Sequence, residues 1–547
     1  MPIGMQAQNQ SIPEFDQEML TAREFLVSKG ASINGLRYRF STETLMGFSD
    51  DGNHLFAIVA RRAYQKYLSQ PVLAYSLESQ LWNSKNTESS ITLSQIIGNY
   101  NRQLLAIKAG DSIYQGSLVQ QLPVKPDKSL KPMLGELAFG QKNPYNSLFP
   151  SDPSAADHPL CVTGCGAVAL AHILSYHRHS VQPSGTGLIN LESGTKMRID
   201  LSQYPVDWNG SDSALANLML DCAASLAATV SSTTSTSTID NFKSALICNW
   251  DYSPQCIVTK GTTDMQLLEL TYSQLDQGNP VIVAGDNHIF VCDGYDNDYL
   301  HFNFGWDRNC NGYYRAIALD NNHESLLPFN ELITGIRPMG DTISHTVTVL
   351  VPGTLSTLID TSHIKDITSL TVKGTINGDD IRLLRNMAGA IDVYDPSFGI
   401  GSLMHLDLTD AVIKGGRPYA VFYADGYTIS GTEVTANNET FRYSYNLSNI
   451  SDSQWRTITN YKLYDRGDMF LERDDNKRIY ISYHSRDNVI GKRMFAGCHN
   501  LRTVILPDSA LSVDEDAFYD CRSLEQALNL PAKVNKKAFN ECRLINP

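Results

Sequence analysis

Apolar positions recur at helical spacing from Glu18 to Lys29, whereas His54–Ala60 and Val72–Tyr75 carry the denser apolar pattern of strands, so residues 1 to about 110 read as a small α+β unit. Farther along, Thr163-Gly164 opens directly into Cys165-Gly166-Ala167-Val168-Ala169-Leu170-Ala171-His172-Ile173-Leu174. That run of good helix formers predicts a helix starting near Cys165. Val281–Tyr295 is an apolar β pattern that reaches the turn Asp296-Asn297-Asp298, and Tyr299–Trp306 returns from it as a second strand. Beyond Asp341 the chain changes to short β-branched strands divided by Asn, Asp and Gly turns.

The last residues repeat. Phe495-x-x-Cys498-x-x-Leu501 recurs as Phe518-x-x-Cys521-x-x-Leu524 and Phe539-x-x-Cys542-x-x-Ile545, after 23 and then 21 residues, within the period range of leucine-rich repeats. Val504–Pro507 and Leu528–Pro531 read as one short strand per turn, and each Cys as a small apolar core residue under a stacked neighbour. The chain stops inside the third repeat without a polar cap, so a truncated solenoid is expected. Upstream, Gln121–Pro132 holds three Pro and three Lys with no periodicity, an extended, protease-accessible connector. These breaks divide the chain into 1–130, 131–340 and 341–547. Ser231–Thr238, SSTTSTST, reads on composition as a solvated loop.

Composition works mainly by exclusion. With 42% hydrophobic and 19% charged residues the 547-residue chain is ordinary globular material, enough for three or four domains at about 150 residues each. A net charge of -14 with no Lys/Arg stripe leaves no basis for nucleic acid as a partner. The longest apolar runs fall well short of the ~18 residues that span a bilayer. The opening MPIGMQAQNQ has no charged region followed by an apolar one, so no signal peptide is visible. Ten Cys are too sparse for a disulfide scaffold.

The chemistry concentrates on one thiol. At a helix N-terminus, backbone N–H groups and the helix dipole favour the thiolate of Cys165 and lower its pKa. A thiolate nucleophile needs a general acid for the departing amine, and His288, in the apolar β pattern, is the best-placed imidazole. A hairpin centred on Asn297 sets Trp306 opposite His288 and turns Asn303 to the other face, reaching the imidazole only through the next turn or a bulge, for which Gly294 and Gly305 are candidates. A zinc reading of Cys161-x3-Cys165 with His172-x4-His177 would crowd four ligands onto one helix start. His177 and His179 read instead as cations at an exposed helix end.

Several motifs resemble one family in order. Gln141-Lys142-Asn143-Pro144-Tyr145-Asn146, Thr163-Gly164-Cys165, His288-Ile289-Phe290-Val291-Cys292-Asp293-Gly294-Tyr295, His301-Phe302-Asn303-Phe304-Gly305-Trp306 and Asn311-Gly312-Tyr313-Tyr314-Arg315 are similar to the streptopain family of papain-like cysteine peptidases. The sequence departs from that pattern at Phe304, where the family has Trp, and at Asn287 and Ile289, which replace Gly and Ala beside the His. The resemblance implies an α+β fold: a papain-like two-lobe catalytic domain with an N-terminal α+β prodomain and a C-terminal β-rich leucine-rich-repeat solenoid.

By it, Cys165 is the nucleophile, His288 the general base and acid, and Gln141 an oxyanion donor beside the Cys165 N–H, while Asn303 and Trp306 orient and shield the imidazole. The N-terminal region also resembles the family's propeptide, through Phe56–Ala60 and Pro71–Ser76, which implies a zymogen whose first 130 or so residues cover the cleft until the Lys125–Lys131 connector is cut. Residues from His345 look like surface leucine-rich repeats and imply a host or surface protein ligand. The expected function is a secreted or cell-surface cysteine endopeptidase acting on proteins or peptides, with no metal or organic cofactor. The alternatives are an inactive binding or adhesion protein that works through its repeats, and an acyl transferase that passes the acyl group to an amine.

Overall fold

Phe56–Ala60 and Val72–Ser76 are buried at every position, a pattern that requires cover on both faces of the sheet they join. The computed structural model describes residues 16–109, 128–315 and 327–542, apart from 53, 82–86, 180–181, 286–287, 328, 341, 360–363, 391–398, 400, 425–427, 435–439, 448–449 and 461–468. The chain forms two compact units, Met1–Tyr252 with Cys256–Pro338, and Ser253–Gln255 with Met339–Pro547.

In the first unit β1 (Leu36–Ser41), β2 (Leu45–Asp50), β3 (Phe56–Ala60) and β4 (Val72–Ser76) form an antiparallel meander. β5 (Ser129–Leu130) is a short edge piece; β6 (Thr186–Leu191), β7 (Lys196–Asp200), β8 (Thr229–Val230) and β9 (Ser235–Thr236) make a separate small sheet. The remaining strands are β10 (Ile257–Lys260), β11 (Val281–Gly285), β12 (His288–Asp296), β13 (Tyr299–Asn303), β14 (Gly312–Arg315) and β15 (Glu331–Thr334).

They line up β1-β2-β3-β4-β14-β13-β12-β11-β15-β10, with β5 on β12, in one 11-stranded sheet. The junction is β4 against β14, Tyr313 opposite Tyr75 and Tyr314 opposite Ala74, so the N-terminal strands share a sheet with residues 257–334. Joining the two edges removes the unpaired N–H and C=O rows each would otherwise expose. Thr87–Lys108 and Asp264–Asp276 cover one face through Ile96, Tyr100, Leu104, Leu268 and Leu275, packed on Ile58, Val283, Phe290 and Phe302. Asp16–Ser28 covers the other face of β2–β4 through Ala22, Phe25 and Leu26. The helix Cys165–His177 packs on β12.

The second unit holds the parallel strand order Ser344–Val349, Ser369–Ile376, His405–Asp407, Thr503–Ile505, Gln526–Leu528. Phe495, Phe518 and Phe539 stack at 5.4 and 5.2 Å, nearly coplanar. The buried Cys521 donates its S–H to the Phe495 carbonyl at 3.0 Å, and Cys542 to that of Phe518. The repeated thiols thus pack in or against the core, and those of Cys521 and Cys542 also tie their turns to the preceding one. The strand expected at Leu528–Pro531 begins earlier, leaving Leu530 exposed, and Ile545 lies outside the described residues.

Candidate active site

Cys165 is the first residue of the helix Cys165–His177, and Gly164 before it has φ +88°. An L side chain there is strained, and its Cβ would stand 2.2 Å from the Ser235 Oγ, so glycine alone lets β9 approach the helix start. Cys165 is partly exposed, whereas Cys161, Cys222, Cys248, Cys256, Cys292 and Cys310 of the same unit are buried. Burial pushes the Cys161 thiol up to about 11, which makes it inert four residues from the candidate nucleophile.

His288 begins β12 opposite Gly285. Its Nε2 lies 3.0 Å from the Phe304 carbonyl, which only accepts, so Nε2 carries the proton and Nδ1 keeps its lone pair. Burial pushes the imidazole down to about 4, partly offset by that carbonyl, and His288 is neutral at pH 7. The Trp306 ring stacks on it at 4.5 Å, within an aromatic cluster of Phe290, Phe302, Phe304 and Tyr314. Gly305, at φ +75° with Val168 2.7 Å from where its Cβ would be, lets the chain turn against the nucleophile helix and deliver Trp306. Position 304 serves the imidazole through its backbone, so Phe in place of Trp leaves this bond intact. Asn311 fixes that backbone by accepting the Phe304 N–H at 3.0 Å. Sequence reasoning gave Asn311 no role, although it stands in a quoted motif.

Cys165 and His288 line one cleft of about 390 Å³. Its wall is Ser235, Thr236, Ser237 and Thr238, and Lys260 and Glu331 stand on the opposite strands. The Ser/Thr patch read as a solvated loop is thus the cleft's hydroxyl face, because the β8–β9 hairpin folds it onto the helix start. Composition could not separate these readings, since both require small polar residues. Lys260 bonds Asp240 at 2.7 Å and lies 3.5 Å from Glu331.

The hairpin turn is Asn297-Asp298, with Asp296 opposite Tyr299, and a bulge between Cys292 and Gly294 restores Asn303 to a place opposite Val291. Asn303 does not reach the imidazole: it donates to the Leu137 carbonyl at 2.9 Å and accepts from the Gly305 N–H at 3.1 Å. Gln141 is buried, and its carbonyl accepts the Thr163 N–H at 3.1 Å, which brings it to the nucleophile turn.

The zinc reading fails on geometry, as His172 Nε2 accepts the Phe139 N–H and His177 Nδ1 lies 2.9 Å from the Tyr252 hydroxyl. No group of three or more His, Cys, Asp or Glu suited to a metal occurs among the described residues. His177 is not the exposed cation expected: it is half-buried, and burial, with His179 beside it, lowers it to about 4. Asn287 and most of the connector lie outside the described residues. Lys128 does fall within them and pairs with Asp276 at 2.7 Å.

The residues that line the cleft fall between 165 and 331, and the described N-terminal segment is attached elsewhere on the same sheet. That segment docks on β14, at the opposite side of the sheet from β11, β15 and β10, and at the hairpin tip, where Asp296 takes bonds from Lys29 and Tyr75. Edge pairing at β4 decides this placement.

Residues 139–314 match the Peptidase C10 family, and residues 470–546 match the BspA type leucine rich repeat region in six copies. A fragment of Prevotella intermedia prointerpain A is 21% identical, with TM-score 0.44 over 56% of this chain and 99% of that one. Active wild-type Prevotella intermedia interpain A cysteine protease is 26% identical, with TM-score 0.33 over 38% of this chain and 98% of that one. A search of curated proteins finds no match.

Proposed function

We propose that this chain, a cysteine-type peptidase of the C10 family over residues 139–314, is a secreted or cell-surface endopeptidase made as a zymogen. The observation that carries the reading is the single cleft shared by a partly exposed thiol at a helix start and a buried, neutral imidazole. In the first step His288 Nδ1 takes the Cys165 proton as Sγ attacks the peptide carbonyl. The tetrahedral oxyanion is held by the Cys165 N–H and the Gln141 side-chain amide. His288 then returns its proton to the departing amine, and the C–N bond breaks to leave a thioester. A water activated by His288 hydrolyses that thioester and restores the thiol. Trp306 shields the imidazole from solvent.

The division into 1–130, 131–340 and 341–547 is part of the proposal, with cutting upstream of Lys128, whose neighbours Ser129 and Leu130 are already paired to β12. The repeat region, read as a leucine-rich-repeat solenoid, would hold a host or surface protein. Casein hydrolysis by the processed protein, set against its Cys165→Ala variant, tests the central claim: equal rates would remove it. An epoxide that labels thiols should modify Cys165, and an unlabelled processed protein would favour the inactive binding alternative.

A further inference from the structure

Two side chains that the catalytic cycle above does not use hold the same piece of backbone. His172 is fully buried two helical turns after Cys165, and seven residues return an α-helix to nearly the same face. Its Nε2 accepts the Phe139 N–H at 3.1 Å, and the Phe139 ring stacks on the imidazole at 4.7 Å. With Nε2 an acceptor, Nδ1 carries the proton, and that buried N–H has no partner. A Leu would fill the space without leaving a buried donor unpaired, so the acceptor function is what this position gains from His. One residue pair away, Asn303 donates to the Leu137 carbonyl. The Asp307 N–H takes the Phe139 carbonyl at 3.1 Å, and the next odd-numbered carbonyl, that of Gln141, takes Thr163. Residues 137–141 are thus an extended strap, bonded through its odd positions, that runs along the nucleophile helix toward its start.

We propose that His172 and Asn303 are positioning residues for the oxyanion amide: they fix the strap so that Gln141 stands beside the Cys165 N–H. This rests on the reading of Gln141 as an oxyanion donor. Asn303 thus ties the strap to the imidazole's support, since its Oδ1 accepts from Gly305 N–H, in the same peptide unit as the Phe304 carbonyl that His288 bonds.

The test is a mutant cycle on the full chain, processed as for the casein assay, with kcat and KM measured on a peptide substrate and the rate of Cys165 alkylation by iodoacetamide as the second readout. Gln141→Ala should lower kcat by about 10²-fold or more. His172→Leu should lower kcat by about 10- to 100-fold with KM and the alkylation rate within about twofold, since nucleophile and base are untouched. His172→Gln, which can restore an acceptor to Phe139, should recover most of the loss. The double variant Gln141→Ala/His172→Leu should be no slower than Gln141→Ala alone, because nothing is left to position. If His172→Leu does not fold, His172→Phe, which keeps the ring stack on Phe139 but has no acceptor, takes its place in the cycle. Multiplying losses in the double variant, or alkylation falling in step with kcat, would overturn the inference and leave the oxyanion reading standing. An unchanged kcat in Gln141→Ala would overturn that reading itself.

Discussion

Gly164→Ala puts the sharpest strain on the nucleophile turn. The residue sits at φ +88°, where an added Cβ costs on the order of 1–3 kcal/mol in backbone strain. That Cβ would also lie 2.2 Å from Ser235 Oγ and 2.5 Å from Ser235 Cβ, and forced overpacking adds about 1–3 kcal/mol. Gly194, at φ +90° with nothing within 4 Å, isolates the first contribution, so Gly194→Ala should show only about 1–3 kcal/mol. The double change Gly164→Ala/Ser235→Gly should recover the second. Because relief of the clash moves the helix start or β9, and misplacement of about 1 Å can cost 10²-fold in rate, kcat should fall about 10²-fold in Gly164→Ala and stay near normal in Gly194→Ala. Calorimetry of the first unit and steady-state kinetics read the two effects, with a melting shift on the order of 2 °C per kcal/mol. A Gly164→Ala protein as stable and active as the parent would refute the argument that β9 closes on the helix through a missing side chain.

Asn311→Ala leaves the buried Phe304 N–H without its acceptor, a loss of about 1–3 kcal/mol, and frees the carbonyl that fixes His288; kcat should drop with little change in KM. Iodoacetamide at pH 7 should modify Cys165 and spare Cys161, whose thiol burial has raised to about 11; peptide mapping by mass spectrometry decides, and equal labelling contradicts the assigned burial. His172, His177 and His288, each lowered to about 4 by burial, bind protons on unfolding, so their contribution to stability is present above the unfolded His pKa of about 6.5 and is lost as pH falls toward 4. Asp221, raised to about 7 by burial and by Asp200, works in the opposite sense, and net uptake near pH 5 should be about one to two protons; a first-unit melting point that does not fall between pH 6.5 and 4 would contradict this. Phe518→Ala empties the centre of the Phe495-Phe518-Phe539 stack and should cost about 3–5 kcal/mol in the second unit's unfolding transition while peptide hydrolysis is unchanged.

Local pattern and motif spacing were enough to locate Cys165 at a helix start, His288 on an apolar strand, the Asn297 hairpin and the Phe/Cys repeat. Each depends on periodicity or turn chemistry within a few residues. Four other features were decided by tertiary structure. The N-terminal strands joined the catalytic sheet because β4 and β14 each had a free edge, a relation between segments some 240 residues apart that no local pattern encodes. Ser235–Thr238 became a cleft wall because a missing Cβ at Gly164 admits it. Asn303 kept the face that hairpin pairing predicts, because a one-residue bulge offsets the two-residue turn, but its partner, the Leu137 carbonyl, comes from a segment 166 residues away that no local pattern names. The charge state of His177 turned on burial, because a half-buried imidazole bonded to Tyr252 is held neutral where the same residue on an open helix end would be a cation.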